Sequence, residues 1–197
     1  MKALVFGGSG FLGSHVADCL SKEGIKVTIF DIKESQFINK DQKFIKGDIL
    51  DYASVKRVVK DMDYIYNFAG IADLDDASTK AIDTLQLNVI GNLNILEAAI
   101  KEEIKKFIYA SSVYVYSQKG GFYRCSKQAS EIYIEEYSRR YGLNFLILRF
   151  GSLYGPRANK YNSVYRYLSD ALNKGEITVE GAGEGVREYI HVRDAAR

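Results

Sequence analysis

Three glycines constrain this chain most. In "KALVFGGSGFLGSH", Gly7, Gly10 and Gly13 lie between an apolar run at 2–6 and an amphipathic stretch from about Phe11 to Glu23, closed by Gly24. Glycine is required where a chain turns sharply after a strand, where backbone must approach a pyrophosphate, and where a helix packs closely on a sheet. The helix N-terminus then offers free N–H groups and a partial positive charge to phosphate. The turn, with Phe11 and Leu12 between its last two glycines, is therefore a candidate dinucleotide site. A second apolar run, "KVTIF" at 26–30, is followed by Asp31, eighteen residues after Gly13. A carboxylate there accepts bonds from adenosine ribose hydroxyls and repels a 2′-phosphate, which favours NAD. Lys33 keeps NADP as the second option, and a plain tight turn with a solvated Asp31 is the bland alternative.

Short apolar runs continue to alternate with longer amphipathic segments. Strands are expected at 43–46, 63–69, in "KKFIYAS" and in "LNFLILRF". Helices are expected at about 52–60, 80–102, 123–141 and 161–173. In the 80–102 helix, Leu85, Val89, Leu93, Leu96 and Ile100 share one face. Near-continuous Val, Ile, Leu and Phe in strands bounded by helices predict a doubly wound α/β domain over residues 1–150, with a parallel sheet covered on both faces. From Gly151 the texture changes to turns, one helix and short strand-like pieces, giving a second region at 151–197. The closing "REYIHVRDAAR" begins a helical turn without a stop signal, so a truncated chain is expected.

Composition narrows the function classes. A formal net charge of +2 gives no footprint for nucleic acid or an anionic membrane, and no apolar run approaches the roughly 20 residues of a membrane span. Cys19 and Cys125 form no metal-ligand spacing and no disulfide framework, which reads as a reducing, cytoplasmic setting without a metal.

The densest chemistry lies in "YASSVYVYSQKGGFYRCSK" at 109–127. Tyr123 is followed at i+4 by Lys127, so on a helix the two share a face. A free phenol has a pKa near 10. A nearby ammonium and a positive nicotinamide ring both favour the phenolate and bring it toward the working range of a general base. Tyr52 and Lys56 repeat the spacing, but no hydroxyl pair precedes them, whereas Ser111-Ser112 precedes Tyr123. Tyr109 reads as buried strand, Tyr116 as an amphipathic wall, and Tyr114 is left open. His15 and His191 read as structural, and Cys125 as a small core or helix residue.

These motifs resemble the extended short-chain dehydrogenase/reductase family, in its NAD-dependent sugar-nucleotide epimerase/dehydratase branch (UDP-glucose 4-epimerase-like), over Lys2 to Arg197. The resemblance implies a Rossmann fold and several site residues. Asp48 of "GDILD", with Ile49 beside it, would contact adenine. Phe68 and Ala69 of "NFAG" would lie in the loop beside the pyrophosphate, with Asn67 where histidine is usual. Asn88 of "LNVIGNLNILEAA" would support the cofactor side of the sheet. Ser112 would bond the reacting oxygen. Arg187 of "GEGVREYIHVRDAA" would pair with the substrate diphosphate, the alternative being a salt bridge to Glu184 or Glu188. Homodimers formed through the helices at about 80–102 and 123–141 are also implied.

Three departures bear on the reaction. Relatives that eliminate or decarboxylate carry an acidic residue just after the catalytic hydroxyl, whereas no Asp or Glu occurs here between Lys106 and Ser130. Only Ser117 to Phe122 separate "VYVY" from Tyr123, and Gly151 stands where asparagine is frequent. The expectation is an NAD-dependent nucleotide-sugar epimerase working by transient oxidation and re-reduction, with low turnover if the chain is truncated. The alternatives are a net reductase or dehydrogenase of a sugar nucleotide or other alcohol, and a non-catalytic dinucleotide-binding regulator.

Overall fold

The computed structural model describes residues 1–72, 79–179 and 186–197. Six parallel strands form one sheet: β1 (Lys2–Phe6), β2 (Lys26–Asp31), β3 (Gln42–Lys46), β4 (Tyr64–Asn67), β5 (Lys106–Ser112) and β6 (Phe145–Phe150). Their order is β3-β2-β1-β4-β5-β6. The order reverses between β1 and β4, and such a switch point opens a crevice at the carboxyl ends of the strands. The glycine turn after β1, the loop after β4 and the serine pair ending β5 all lie along that edge.

Helices α1 (Phe11–Lys22), α2 (Tyr52–Val59), α3 (Ala81–Leu85), α4 (Gly91–Lys101) and α5 (Gly121–Tyr141) complete the alternating pattern. Strand alternation assigns the two sheet faces. Leu4, Phe6, Ile65, Phe107 and Tyr109 join the cluster that includes Val55 of α2, Leu96 of α4 and Ile134 of α5. Val5, Val27 and Ile29 pack with Ala17 of α1. From Ala3 to Phe6, β1 is wholly shielded from solvent, as the central position of a doubly covered sheet requires. The outer strand β6 departs from that expectation, since Leu146 remains 45% exposed.

The expected 80–102 helix is two α-helices joined by a π-helical turn, Gln86–Ile90. The wider turn changes the helical phase. Val89 and Leu96 are buried, and Leu93 and Ile100 pack against the core, but Leu85 lies on the far side of the phase change and is exposed. Beyond β6, β7 (Ser152–Tyr154) and β8 (Tyr189–His191) form a separate two-stranded parallel sheet, with α6 (Ser163–Lys174) between them and α7 (Val192–Ala196) after them. Val192 of α7 packs with Leu12 and Val16 of α1, which joins this region to the glycine-turn helix. His15 lies at the same junction, its Nε2 2.9 Å from the Pro156 carbonyl. Burial is the largest influence on this imidazole and lowers its pKa.

Candidate active site

The glycine turn is built as its sequence suggests. Gly7 has φ of 71°, and a Cβ there would fall 2.6 Å from the Ala69 backbone nitrogen. At Gly13 a Cβ would fall 2.3 Å from the Gly7 carbonyl oxygen, so α1 reaches the turn only because residue 13 lacks a side chain. Gly10 caps α1 without a side-chain bond, and the first turn carries no acidic residue. The N–H groups of Phe11 and Leu12 thus stand at a helix start, where intrahelical partners are missing. Ser9 Oγ is buried there without a hydrogen-bond partner. Asp31, at the end of β2, accepts from Ser9 N–H at 3.1 Å and Lys33 N–H at 3.2 Å, which holds its carboxylate against the turn. A glycine cradle at a helix start, an orphaned hydroxyl and a fixed carboxylate fit a dinucleotide diphosphate and its adenosine ribose.

The other cofactor-side residues fall around the same edge. Asp48 is exposed and accepts from the Leu50 N–H at 2.9 Å, while Ile49 is buried beneath it. Phe68 donates its N–H to the Phe6 carbonyl, and Ala69 donates its N–H to Asn67 Oδ1. The buried Asn67 also donates to Asn92 Oδ1 at 2.8 Å. Asn88, in the π-helical turn, ties the loop to α5. Its Oδ1 accepts from Ile71 N–H at 2.7 Å, and its Nδ2 donates to the Ile71 carbonyl and to Ser126 Oγ at 2.9 Å. Ser126 Oγ donates to the Tyr123 carbonyl, and Ser130 Oγ donates to the Asn88 carbonyl. A polar seam therefore runs from the loop after β4 to the helix that carries Tyr123. In the sequence the seam shows as Asn67, Asn88 and the serines at i+3 and i+7 from Tyr123.

Tyr123 and Lys127 face β5 from α5. Both are at least nine-tenths buried. Lys127 Nζ donates to the Ala110 carbonyl at 2.8 Å and lies 4.6 Å from the Tyr109 ring centroid and 5.7 Å from that of Tyr123. Burial is the largest influence on Lys127 and lowers its pKa, with Tyr123 and Glu131 acting in the opposite direction. The Tyr123 ring meets the Tyr114 ring edge-on, with centroids 6.3 Å apart. Burial pushes the Tyr109 phenol up, away from any role as a base at neutral pH. Ser112 Oγ accepts the Tyr114 N–H at 3.3 Å and caps the 3₁₀ turn Val113–Tyr116. That bond uses an acceptor lone pair and leaves the hydroxyl proton available to donate.

One expectation needs correction here. Tyr116 is no packed wall. It is 73% exposed, and its phenol accepts from Arg149, whose guanidinium carbon sits 4.9 Å from the ring centroid. A polar tip with a cationic partner outweighs burial of that ring. Of the two readings of Cys125, the helix residue holds, and it is exposed. Its neighbours Tyr123 and Lys127 take the inward face of α5, so it points elsewhere.

Arg187 is exposed and lines a cavity of about 250 Å³ with Ser163, Arg166, Tyr167, Asp170 and Thr178. Glu184 lies outside the described residues, and among those described no ion pair joins Arg187 to Glu188. A second depression of about 250 Å³ lies between Val113, Arg149, Phe150, Gly151, Glu188, Tyr189 and Ile190, next to Ser112. A Cβ at Gly151 would come within 2.8 Å of the Glu188 carbonyl, which accepts the Ser152 N–H. The pairing that leads into β7 and β8 therefore excludes a side chain at position 151. Among the described residues no cluster of His, Cys, Asp and Glu could hold a metal ion, and no helix is long and apolar enough to cross a membrane.

A strand–glycine turn–helix at the switch point, with Tyr123 and Lys127 beside the end of β5, defines a dinucleotide-dependent enzyme fold. The family model described as the NAD dependent epimerase/dehydratase family matches residues 3–197, and the chain belongs to that family. It is 28% identical over 215 residues to a putative UDP-glucose 4-epimerase of Methanocaldococcus jannaschii, covering 98% of this chain and 70% of that protein. It is 26% identical over 235 residues to a dTDP-D-glucose 4,6-dehydratase of Dictyostelium discoideum, covering 98% of this chain and 53% of that one. The structure of UDP-glucose 4-epimerase from Thermotoga maritima, solved with UDP-glucose, superposes with a TM-score of 0.91 at 30% identity, covering 100% of this chain and 71% of that one.

Proposed function

We propose that the protein is an NAD-dependent epimerase of a nucleoside diphosphate sugar, inverting one hydroxyl-bearing carbon through a transient ketone. The observation that carries this reading is the buried Tyr123–Lys127 pair. Lys127 is held by the Ala110 carbonyl and two phenol rings, next to a serine whose proton is available. The relatives include epimerases, dehydratases and a decarboxylase. What favours epimerisation is that no Asp or Glu lies between Lys106 and Ser130 to move the second proton that elimination of water requires.

In this reading Tyr123 removes the proton from a sugar hydroxyl and returns it after inversion. Lys127 keeps the phenolate accessible by its charge. Ser112 donates to the reacting oxygen and orients it. Gly7, Gly10, Gly13, Phe11 and Leu12 hold the dinucleotide diphosphate, Asp31 its ribose, and Asp48 and Ile49 its adenine end. Phe68, Ala69 and Asn88 line its middle. NAD, when bound, supplies the hydride acceptor and donor. Arg187 binds the sugar nucleotide's diphosphate, and residues 151–197 belong to the substrate-binding region. Homodimerisation through α3, α4 and α5 is supported by exposed Ile82, Leu85, Ile90, Ile132 and Tyr133.

The test begins with the cofactor. Denaturing the purified protein is expected to release NAD rather than NADP. In titrations of the emptied protein, NAD is expected to bind more tightly by about tenfold or more, because a 2′-phosphate would face Asp31. Asp31→Ser should narrow that preference. NADP bound as tightly as NAD by the unaltered protein would contradict the reading.

A further inference from the structure

Glu131 lies four residues after Lys127 on α5, and the two side chains share a helical face. Glu and Lys at this spacing ordinarily attract one another. Both are buried here, Glu131 6% and Lys127 7% exposed, where an unpaired charge is costly. Yet among the described residues no ion pair joins them. Lys127 instead turns to the Ala110 carbonyl of β5. Glu131 is taken by Arg149 of β6, whose Nε lies 3.0 Å from Oε1 and 3.2 Å from Oε2, and whose Nη2 lies 2.7 Å from Oε2. This bidentate geometry is the strong form of a carboxylate pair.

The third arm of the same guanidinium reaches forward. Arg149 Nη1 donates to the Tyr116 phenol, at the end of the 3₁₀ turn that Ser112 opens. In the sheet Arg149 pairs with Ser111, so its backbone lies beside the end of β5. Gln128 adds a second tie, its Nε2 donating to the Val115 carbonyl at 2.9 Å. Arg149 thus joins the turn carrying Ser112 to the helix carrying Tyr123 and Lys127, and occupies the carboxylate that stands one helical turn from that lysine.

We propose that Arg149 is a positioning residue, which holds Glu131 away from Lys127 so that the ammonium stays directed at Tyr123, and which fixes the turn after Ser112. The inference rests on the reading of Tyr123 as the proton carrier. Among the described residues, the charged and titratable groups around Tyr123 and Lys127 are Glu131 on α5, Tyr109 on β5, Tyr114 in the 3₁₀ turn, and Arg149 on β6 with Tyr116 beyond it. Of these, Glu131 is the carboxylate, and Arg149 is the cation paired with it.

Replacing Arg149 by Gln leaves Glu131 charged and free to turn toward Lys127. Both consequences disfavour a phenolate at Tyr123, so its ionisation should move to higher pH, on the order of one unit. Glu131→Gln removes the negative charge and leaves a cation behind, so ionisation should move to lower pH. The double variant should return it near its starting point. The readout is the phenolate absorbance that differs between each protein and its Tyr123→Phe counterpart, titrated with NAD present, which needs no turnover. Opposite shifts in the single variants and restoration in the double support the proposal. An unmoved ionisation, or shifts of the same sign, overturns it. If R149Q fails to fold, the downward shift of E131Q and the unchanged position of the double variant decide the matter alone. Should Tyr123 of the unaltered protein ionise only where an ordinary tyrosine does, the functional reading itself fails, and that result is distinct from an Arg149 effect that is missing.

Discussion

Tyr123→Phe is expected to lower turnover of a nucleoside diphosphate sugar by about 10²- to 10⁴-fold, the usual range for losing a positioned general acid–base group. Bound NAD and melting temperature should remain close to those of the unaltered protein. The substitution removes one oxygen and keeps the ring, and with it the edge-on contact to Tyr114. Lys127 keeps its bond to the Ala110 carbonyl, so the helix and strand stay joined. Tyr109→Phe is the matched control. Its hydroxyl is buried and burial pushes its pKa up, so activity should change by only a few-fold. Rate measurements at saturating substrate, with cofactor content measured on the same samples, separate the two. Comparable losses in both variants would show that Tyr123 is no more than a packing residue.

Gly13→Ala is expected to have the second largest effect, by a different route. The new methyl would meet the Gly7 carbonyl oxygen at 2.3 Å and the Gly8 Cα at 2.9 Å. Both are backbone atoms, so relief must come from shifting α1 away from the turn rather than from rotating a side chain. Overpacking of this kind costs about 1–3 kcal/mol. The shift also moves the helix start proposed to hold the diphosphate, so NAD affinity should fall along with stability. Gly24→Ala offers a contrast. Gly24, unlike Gly13, has a positive φ, 74°, and a Cβ there meets nothing within 4 Å. Its cost is confined to backbone strain, about 1–2 kcal/mol. Melting curves with and without NAD distinguish the cases. NAD should raise the melting temperature of the unaltered protein and of Gly24→Ala, and raise that of Gly13→Ala much less. An undiminished rise in Gly13→Ala would remove the glycine turn from the cofactor site.

The features legible in the sequence are those in which one residue type satisfies a local demand. Gly7 and Gly13 sit where backbone meets backbone, Asp31 ends a strand, and Tyr123 and Lys127 share a helical face. Each can be read from neighbours a few positions away. The parallel sheet was legible for the same reason, since runs such as "KALVF" carry their burial in their composition.

The features not legible in the sequence arise once the chain is folded. The π-helical turn at Gln86–Ile90 leaves Leu85 exposed, and nothing in the spacing of apolar residues announces it. Asn88 reads from the sequence as a cofactor-side residue, and only the folded chain adds that its amide joins Ile71 to Ser126. Tyr116 resembled a packed aromatic until Arg149, thirty-three positions later, supplied its partner. Glu131 did carry a signal, because a carboxylate four residues after a buried lysine poses the question of what prevents their pairing. Gly151 similarly read as an odd replacement for asparagine. The approach of the Glu188 carbonyl explains it, and that approach exists only once β7 and β8 are paired.

The measurement that tests the account most directly is to supply the protein, with its bound dinucleotide and no added cofactor, with a nucleoside diphosphate sugar and separately with its 4-epimer. Proton spectra of the sugar and absorbance of reduced nicotinamide would be followed together. The account predicts that both starting materials converge on one mixture of the two epimers, while net reduced cofactor stays near zero. Reduced cofactor accumulating in step with an oxidised sugar, or a 4-keto-6-deoxy product formed by loss of water, would contradict it.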